Sequence, residues 1–383
     1  MPNLLKNLHL EELSLVDRPA NAQAMVSLFK RDNTDEETTK MNEEEMEAQI
    51  EIEADNLIPY SLDEVSIDFE TLSPNITDPV TIVEVSPRDG LQNESVLVYS
   101  DHKLALIGHL VTMGAKRVEV VSFVNPRRVP QMGDAEQVAL GLPEAPGVRF
   151  IGLCLNERGV ARAIATQDNP RPLDEAGCVL VASDTFGVVN QGQKISDGIL
   201  ANNAMLKMAR DAGLYAQVTI SAAFGCPYEG PVPADRVVEL AKRMADAGAQ
   251  EIALADTIGV AVPPQVGDLT ARVIEAIAPI PIRLHLHDTR GLAPANAWAG
   301  YQAGCRTFDS ALGGLGGCPF APGAAGNVGT EELLYLFGRS GIATGYDLET
   351  TLEANRWLAT IMGRALPSRA GKAGDFVARP IPI

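Results

Sequence analysis

"QEIALADTIGVAVPPQVGDLTARVIEAIAPIPIRLHLHDT", residues 250–289, decides the fold. It opens on a short aliphatic run, "QEIALAD" (250–256), and closes on another, "PIRLHLH" (281–287), with a helical stretch between them. Strand, helix and strand in that order form the repeating unit of a parallel sheet. The same rhythm begins near Val80 and supplies six more strands, at 81–86, 116–122, 148–154, 177–183, 215–221 and 306–312. Helical patterns lie between them, such as 195–213 and 234–248, and each of these two ends on Gly, a usual stop. Eight βα units in about 260 residues match the size of one (β/α)8 barrel. A doubly wound sheet is the rival, but no GxGxxG follows the first strand. The chain therefore reads as an α/β protein with a single TIM barrel, whose chemistry belongs at the C-terminal ends of the strands.

Upstream of the barrel the composition changes. Asp32 to Glu70 holds fifteen acids against the single base Lys40, a local net of −14 within a total of −19. This stretch has few apolar residues and cannot offset its chain entropy by burial, so 32–75 reads as an acidic, disordered linker. Residues 76–383 then form the barrel domain with a C-terminal tail. A chain whose acidity is concentrated in this way lacks the clustered Lys and Arg that phosphate neutralisation requires, so nucleic acid is not an expected partner.

Hydrophobic content of 46% is ample for a large core. No run reaches the eighteen apolar residues of a membrane helix. The first residues resemble neither a secretory signal nor a transit peptide, so the expected compartment is the cytoplasm. Five scattered cysteines without a CxxC pair argue against a disulfide framework or a thiolate zinc site.

The strand ends carry the candidate chemistry. "SPRDGLQNE" places Arg88 and Asp89 where the first strand opens into its loop; alone, they also read as an ordinary ion pair. His285 and His287 are two apart, so on a strand both point to one side, which in a barrel is the lumen. For this pair alone, metal binding and a structural role stand level. With Asp89 and the amide oxygen of Asn327, the set of mixed N and O donors suits Mg2+ or Mn2+ with open positions. Glu119 within the second strand needs a cationic partner, and Arg88 is the natural one. Asp256 reads as a base, as a support for its neighbours or as a cap on the next helix. "GGLGGCPFAPGAAGN" (313–327) follows the eighth strand, so Cys318 can swing over the site as a lid-borne acid or base. The bland alternatives are a spare buried thiol and a phosphate cradle, although no GK[ST] follows.

Taken together, "VEVSPRDGLQNE", "VEVVSFVNPRRVPQM", "FGCPYEG", "ALADTIGV", "LHLHDT" and "GGLGGCPFAPGAAGNVGTEEL" resemble hydroxymethylglutaryl-CoA lyase, a family of metal-dependent TIM-barrel lyases, over about residues 79–345. The resemblance implies that Asp89, His285, His287 and Asn327 are ligands of a divalent metal, Mg2+ or Mn2+. It implies that Arg88 neutralises the thioester oxygen as an enolate forms, that Glu119 steadies Arg88, and that Cys318 is the catalytic loop cysteine. Asp256 and Glu331 become further active-site acids, and Arg88, Gln92 and Asn190 contact an acyl-CoA substrate. The implied reaction cleaves 3-hydroxy-3-methylglutaryl-CoA, or a related 3-hydroxyacyl-CoA, to acetyl-CoA and acetoacetate, with roles in leucine degradation and ketone body metabolism. A homodimer is a further implication.

The chain departs from the family at Gly187-Val188-Val189, where eukaryotic members carry polar and basic residues, and at Arg290, where an aromatic is often seen. Both departures bear on the acyl group. A Claisen synthase of the isopropylmalate type shares RDG and HxH but usually carries a Gly-Glu-Arg type loop in place of Cys318. Residues 1–31 resemble a segment near the start of tailed-phage head-maturation proteases, which raises a reading from another class: a phage structural protein with an inert barrel.

Overall fold

The computed structural model of the protein describes residues 78–317 and 326–376. The segments 1–31 and 32–75 and residue Cys318 lie outside the described residues. Eight parallel strands close into a barrel in sequential order: β1 (Thr81–Glu84), β2 (Arg117–Ser122), β3 (Arg149–Leu153), β4 (Glu175–Val181), β5 (Tyr215–Ser221), β6 (Glu251–Asp256), β7 (Ile282–Leu286) and β8 (Thr307–Ser310). β8 pairs with both β7 and β1, which closes the ring.

Helices α1 (Ser100–Met113), α2 (Ala135–Leu140), α3 (Glu157–Ala165), α4 (Asp184–Gln191), α5 (Ile195–Asp211), α6 (Ala234–Asp246), α7 (Pro263–Ile277), α8 (Ala293–Gln302) and α9 (Thr330–Arg339) connect or follow the strands. α10 (Leu348–Met362) and α11 (Arg369–Ala373) complete the described chain. Local signals set several boundaries. Asn156, Ser183 and Asp347 accept amide hydrogen bonds at the starts of α3, α4 and α10. α6 shows why these helices dock: Val237, Leu240, Ala241 and Met244 recur at helical spacing and are all buried, each large one contributing about 1.5–3 kcal/mol by leaving water.

All eight expected strands are present. The fourth begins two residues earlier than its hydropathy suggests, because Glu175 pairs with Tyr215 on β5 and is fully buried. The helices expected over 195–213 and 234–248 stop at Asp211 and Asp246, and Gly213 and Gly248 take φ of 81° and 90° just beyond them.

The reason for Glu175 lies inside the barrel. Arg117 donates to Glu175 (3.0 and 2.7 Å) and to Glu251 (2.7 and 2.9 Å), and Gln217 donates to Glu175 at 2.6 Å. Arg283 donates to Asp309 at 2.9 Å, bonds Gln217 and lies 3.2 Å from Glu251. Arg117, Glu175, Glu251 and Asp309 come from the even-numbered strands, and Gln217 and Arg283 from β5 and β7 interleave with them. Beside this polar layer, Val83, Val85, Ile151 and Ala311 form a small apolar cluster separate from the main core.

Each charge here is held only by its partners, because a lone buried ion is several kcal/mol worse than a solvated one. Replacing Arg117 with Met leaves Glu175 only Arg149 and Gln217, and Glu251 only Arg283, and should cost about 3 kcal/mol in urea unfolding. Adding Glu175→Gln and Glu251→Gln to that variant should recover most of the loss.

Candidate metal centre and active site

β1 ends in a five-residue π-turn, Ser86–Gly90, in which the Gly90 amide donates to Val85 O at 3.1 Å. Pro87 starts the turn, and this wider winding lets two consecutive side chains, Arg88 and Asp89, both enter the site. Glu84 fixes the turn from behind. Its carboxylate accepts from Ser86 N (2.9 Å), Leu312 N (3.1 Å) and Thr330 Oγ1 (2.6 Å), so one side chain ties β1 to the stem of the Gly-rich loop and to α9.

Arg88 Nε donates to Glu119 on β2, and its Nη1 donates to Asp89. Asp89 Oδ2 lies 3.8 Å from His285 Nε2 and 3.9 Å from His287 Nε2, and the two imidazole nitrogens are 3.2 Å apart. Asp89, His285 and His287 are the one such group of potential ligand atoms among the described residues. Asn327 joins them: its Nδ2 donates to Asp89 Oδ2 at 2.8 Å. The backbone holds it there through an antiparallel bridge to His287 and a bond from Asn327 N to Leu315 O at 3.1 Å. Two glycines permit this neck. A Cβ on Gly316, at φ 103°, would stand 2.4 Å from Asn327 Nδ2, and one on Gly326 would meet Leu315 at 2.5 Å.

The donor set fits a divalent cation. Bonds of about 2.1 Å in an octahedral ion put neighbouring donors about 3.0 Å apart and opposite ones about 4.2 Å apart, and the spacings above fall in that range. Asn327 Oδ1 is buried without a hydrogen-bond partner. Rotating its carboxamide by half a turn brings Oδ1 beside Asp89 Oδ2, an arrangement that needs a cation between the two oxygens.

Burial opposes a proton on His285, but the Asp309 bond and the charges of Asp309 and Asp89 outweigh it and raise its pKa. Burial alone would raise Asp89, but Arg88, then the two histidines and the Asn327 bond, hold it well below the usual carboxylate range. Burial, then the nearby His285, pushes His287 down to about 4, so its lone pair is available near neutrality. Burial opposes the charge on Arg88, but Asp89 and Glu119 outweigh that cost and hold the guanidinium charged.

The remaining expected residues have other partners. Asp256 is buried at the end of β6, and its two oxygens accept from Val260 N and Ala261 N at 2.9 Å, so it folds the loop that leads to α7. Burial raises its pKa. Glu331 accepts from Gly313 N (3.0 Å) and from Asn355, at the stem of the Gly-rich loop rather than among the ligand atoms. Gln92 is half-buried past the π-turn with Oε1 unpartnered, and Asn190 is half-buried on α4 beyond β4. Arg290 donates to Ile258 O and Gly259 O, at 3.1 and 2.7 Å, across the β6 loop. Sequence reasoning passed over Glu84, Arg117, Glu175, Glu251, Arg283 and Asp309. Their one signal is a charge placed within or at the start of an otherwise apolar strand.

The HMGL-like family profile matches residues 79–358. A profile described as Type IV pilus assembly protein PilM also matches, over residues 36–88. An (R)-citramalyl-CoA lyase of Chloroflexus aurantiacus is 42% identical over 307 residues, spanning 78% of this chain and 95% of that protein. The hydroxymethylglutaryl-CoA lyase YngG of Bacillus subtilis is 39% identical over 290 residues, 76% of this chain and 95% of the relative. Among solved structures, an HMG-CoA lyase of A. baumannii in complex with coenzyme A and 3-methylmalate superposes with a TM-score of 0.75 at 37% identity. It covers 81% of this chain and all of its own.

Burial, then the adjacent Glu332, pushes the Glu331 carboxyl up from 4.5 to about 8. The fold therefore binds a proton that the unfolded chain releases between those values, and this contribution to stability falls as pH rises through them. Between about pH 6.5 and pH 8 the melting temperature of the native chain should drop more steeply than that of Glu331→Gln, which mimics the protonated acid. Differential scanning calorimetry checks this.

Proposed function

The chain belongs to the HMGL-like family, and from that membership we propose that it is a divalent-metal-dependent lyase cleaving 3-hydroxy-3-methylglutaryl-CoA, or a related 3-hydroxyacyl-CoA. Cleavage of the carbon–carbon bond is the activity of its relatives, which are named as lyases of acyl-CoA thioesters. The observation that carries the reading is the meeting of Asp89, His285, His287 and Asn327 beside Arg88 at the C-terminal mouth of the barrel.

The chemistry asks for three things: a tertiary hydroxyl losing its proton, a breaking C2–C3 bond, and an enolate stabilised next to the thioester. A Mg2+ or Mn2+ ion held by Asp89, His285, His287 and Asn327 supplies Lewis acidity that lowers the hydroxyl's pKa and orients the bond to be broken. Arg88 places a guanidinium where the enolate oxygen develops. Glu119, bonded to Nε, fixes the plane of that guanidinium, so no reorientation is needed as charge appears. Gln92 Oε1, with no partner of its own, is available to receive a hydrogen bond from the acyl group. Cys318 is the candidate for returning a proton to the acetyl carbon, with acetyl-CoA leaving beside the oxo acid. Asp256, whose oxygens accept from backbone amides and whose pKa burial raises, supports its loop and is the candidate to take the hydroxyl proton, since Asp89 and His285 would hold the ion.

A second reading of the substrate is favoured by the relative at 42% identity: citramalyl-CoA, whose carboxylate sits one carbon closer to the hydroxyl and whose cleavage releases pyruvate. The Gly187-Val188-Val189 stretch on α4 and Arg290, both departures in the region over the substrate, leave room for that difference. Leucine degradation and ketone body metabolism follow only from the first substrate.

Purified protein with Mn2+ should release acetyl-CoA together with acetoacetate from hydroxymethylglutaryl-CoA, and EDTA should abolish turnover. Pyruvate release from citramalyl-CoA at a higher kcat/KM would move the assignment to the second substrate. Condensation of acetyl-CoA with a 2-oxo acid, with no cleavage of either thioester, would overturn the lyase assignment. Arg88→Met should lower kcat about 10²–10³-fold, the size typical of losing one oxyanion-stabilising group. Cys318→Ala retaining full turnover would remove the thiol from the reaction.

A further inference from the structure

Below the ligand cluster, His285 has a partner that His287 lacks. His285 Nδ1 stands 3.0 Å from Asp309 Oδ2, and the two residues lie opposite each other in the β7–β8 register. His287 Nδ1, by contrast, is buried without a hydrogen-bond partner. Asp309 is 4% exposed, and its other oxygen receives Arg283 Nη1 at 2.9 Å. Arg283 is held in turn by Gln217 and Glu251, and Glu251 by Arg117. Every member of this chain of contacts is buried, so no solvent competes for any of the bonds.

We propose that Asp309 is a positioning residue for the metal centre: it holds the proton of His285 on Nδ1 and so turns Nε2 toward Asp89 and His287 as the atom offered to a cation. A carboxylate only accepts hydrogen bonds, so the 3.0 Å contact requires the hydrogen to be on Nδ1. That turns Nε2 to the side where the other donors converge. Asp309 is in turn kept from rotating by Arg283, which occupies Oδ1 and leaves only Oδ2 for the histidine. The lumen network thus has a directional output. It anchors Asp309, Asp309 holds the Nδ1 proton, and that bond presents Nε2. Imidazole ligands commonly depend on such a partner, and losing it typically weakens metal binding 10–100-fold.

This inference rests on the metal-dependent reading above, and its test separates the two. In the metal-free full-length protein, nitrogen-15 NMR should show a proton on His285 Nδ1. Asp309→Asn should lower the fraction of His285 protonated at that nitrogen. Mn2+ titration followed by electron paramagnetic resonance should show 10–100-fold weaker binding for Asp309→Ala at an unchanged fold. Because that variant removes one partner of Arg283, the double variant Arg283→Met/Asp309→Leu is measured beside it and should bind Mn2+ as weakly. Arg283→Met alone, which keeps the Asp309–His285 bond, should lose less. Native Mn2+ affinity in a folded Asp309→Ala or double variant overturns the proposal, as does a His285 Nδ1 that carries no proton in the native protein. Failure of the native chain to take up Mn2+ would sink the metal-dependent reading itself, whereas the metal-free Nδ1 measurement would still decide the role of Asp309.

Discussion

A closed eight-stranded barrel excludes water from its interior, so any charge placed there has to be answered by side chains or by a bound ion. That constraint governs this molecule. Its lower lumen is filled by guanidinium and carboxylate groups that bond one another, with Arg149 adding to Glu175, and its upper lumen sets Asp89 and Glu119 against the single Arg88. The imbalance collects where Asp89, His285 and His287 meet, at the end of the barrel where the loops are free to admit a ligand. Placement of the site is therefore an outcome of how the buried charge is distributed as well as of where the catalytic motifs occur.

The surrounding elements are arranged around that deficit. The π-turn after β1 delivers two adjacent side chains of opposite charge to one point, and Glu84 locks the turn to the stem of the Gly-rich loop. The same loop returns through Gly326 to lay Asn327 against His287. Segments separated by more than two hundred residues are thus fixed relative to one another by backbone hydrogen bonds and one buried carboxylate. A site assembled in this way has little freedom to relax, which suits chemistry that needs charge already in place when an enolate forms.

Much of this was legible beforehand. The strand count follows from short apolar runs separated by helical patterns, and the ligand cluster follows from the spacing of His285 and His287 together with the rule that barrel strands deliver function at one end. The lower lumen was not legible, although the signal existed. The two-residue spacing that pairs the histidines extends back to Arg283, and Arg117 precedes Glu119 by the same interval. A charged residue at the first position of a strand reads as a boundary, however, and Glu175 and Glu251 sit at just those positions. Their role shows only when the ring closes and brings β2, β4 and β6 to a common centre. Asp256 and Glu331 have a structural contribution that their sequence context did not show: Asp256 accepts from amides of the loop after β6, and Glu331 from the amide of Gly313.

The crossing of Arg117 from β2 to both β4 and β6, and of Gln217 from β5 to β4, bears on how such a protein could have arisen or could be divided. Cutting the ring into two four-stranded pieces would part Arg117 from Glu251 and Gln217 from Glu175, leaving each fragment with an ion or amide facing solventless space. Neither piece is electrostatically self-sufficient. The barrel is thus expected to open as one cooperative unit, and exchanging halves with another protein of this architecture would demand matching polar centres as well as matching strand edges.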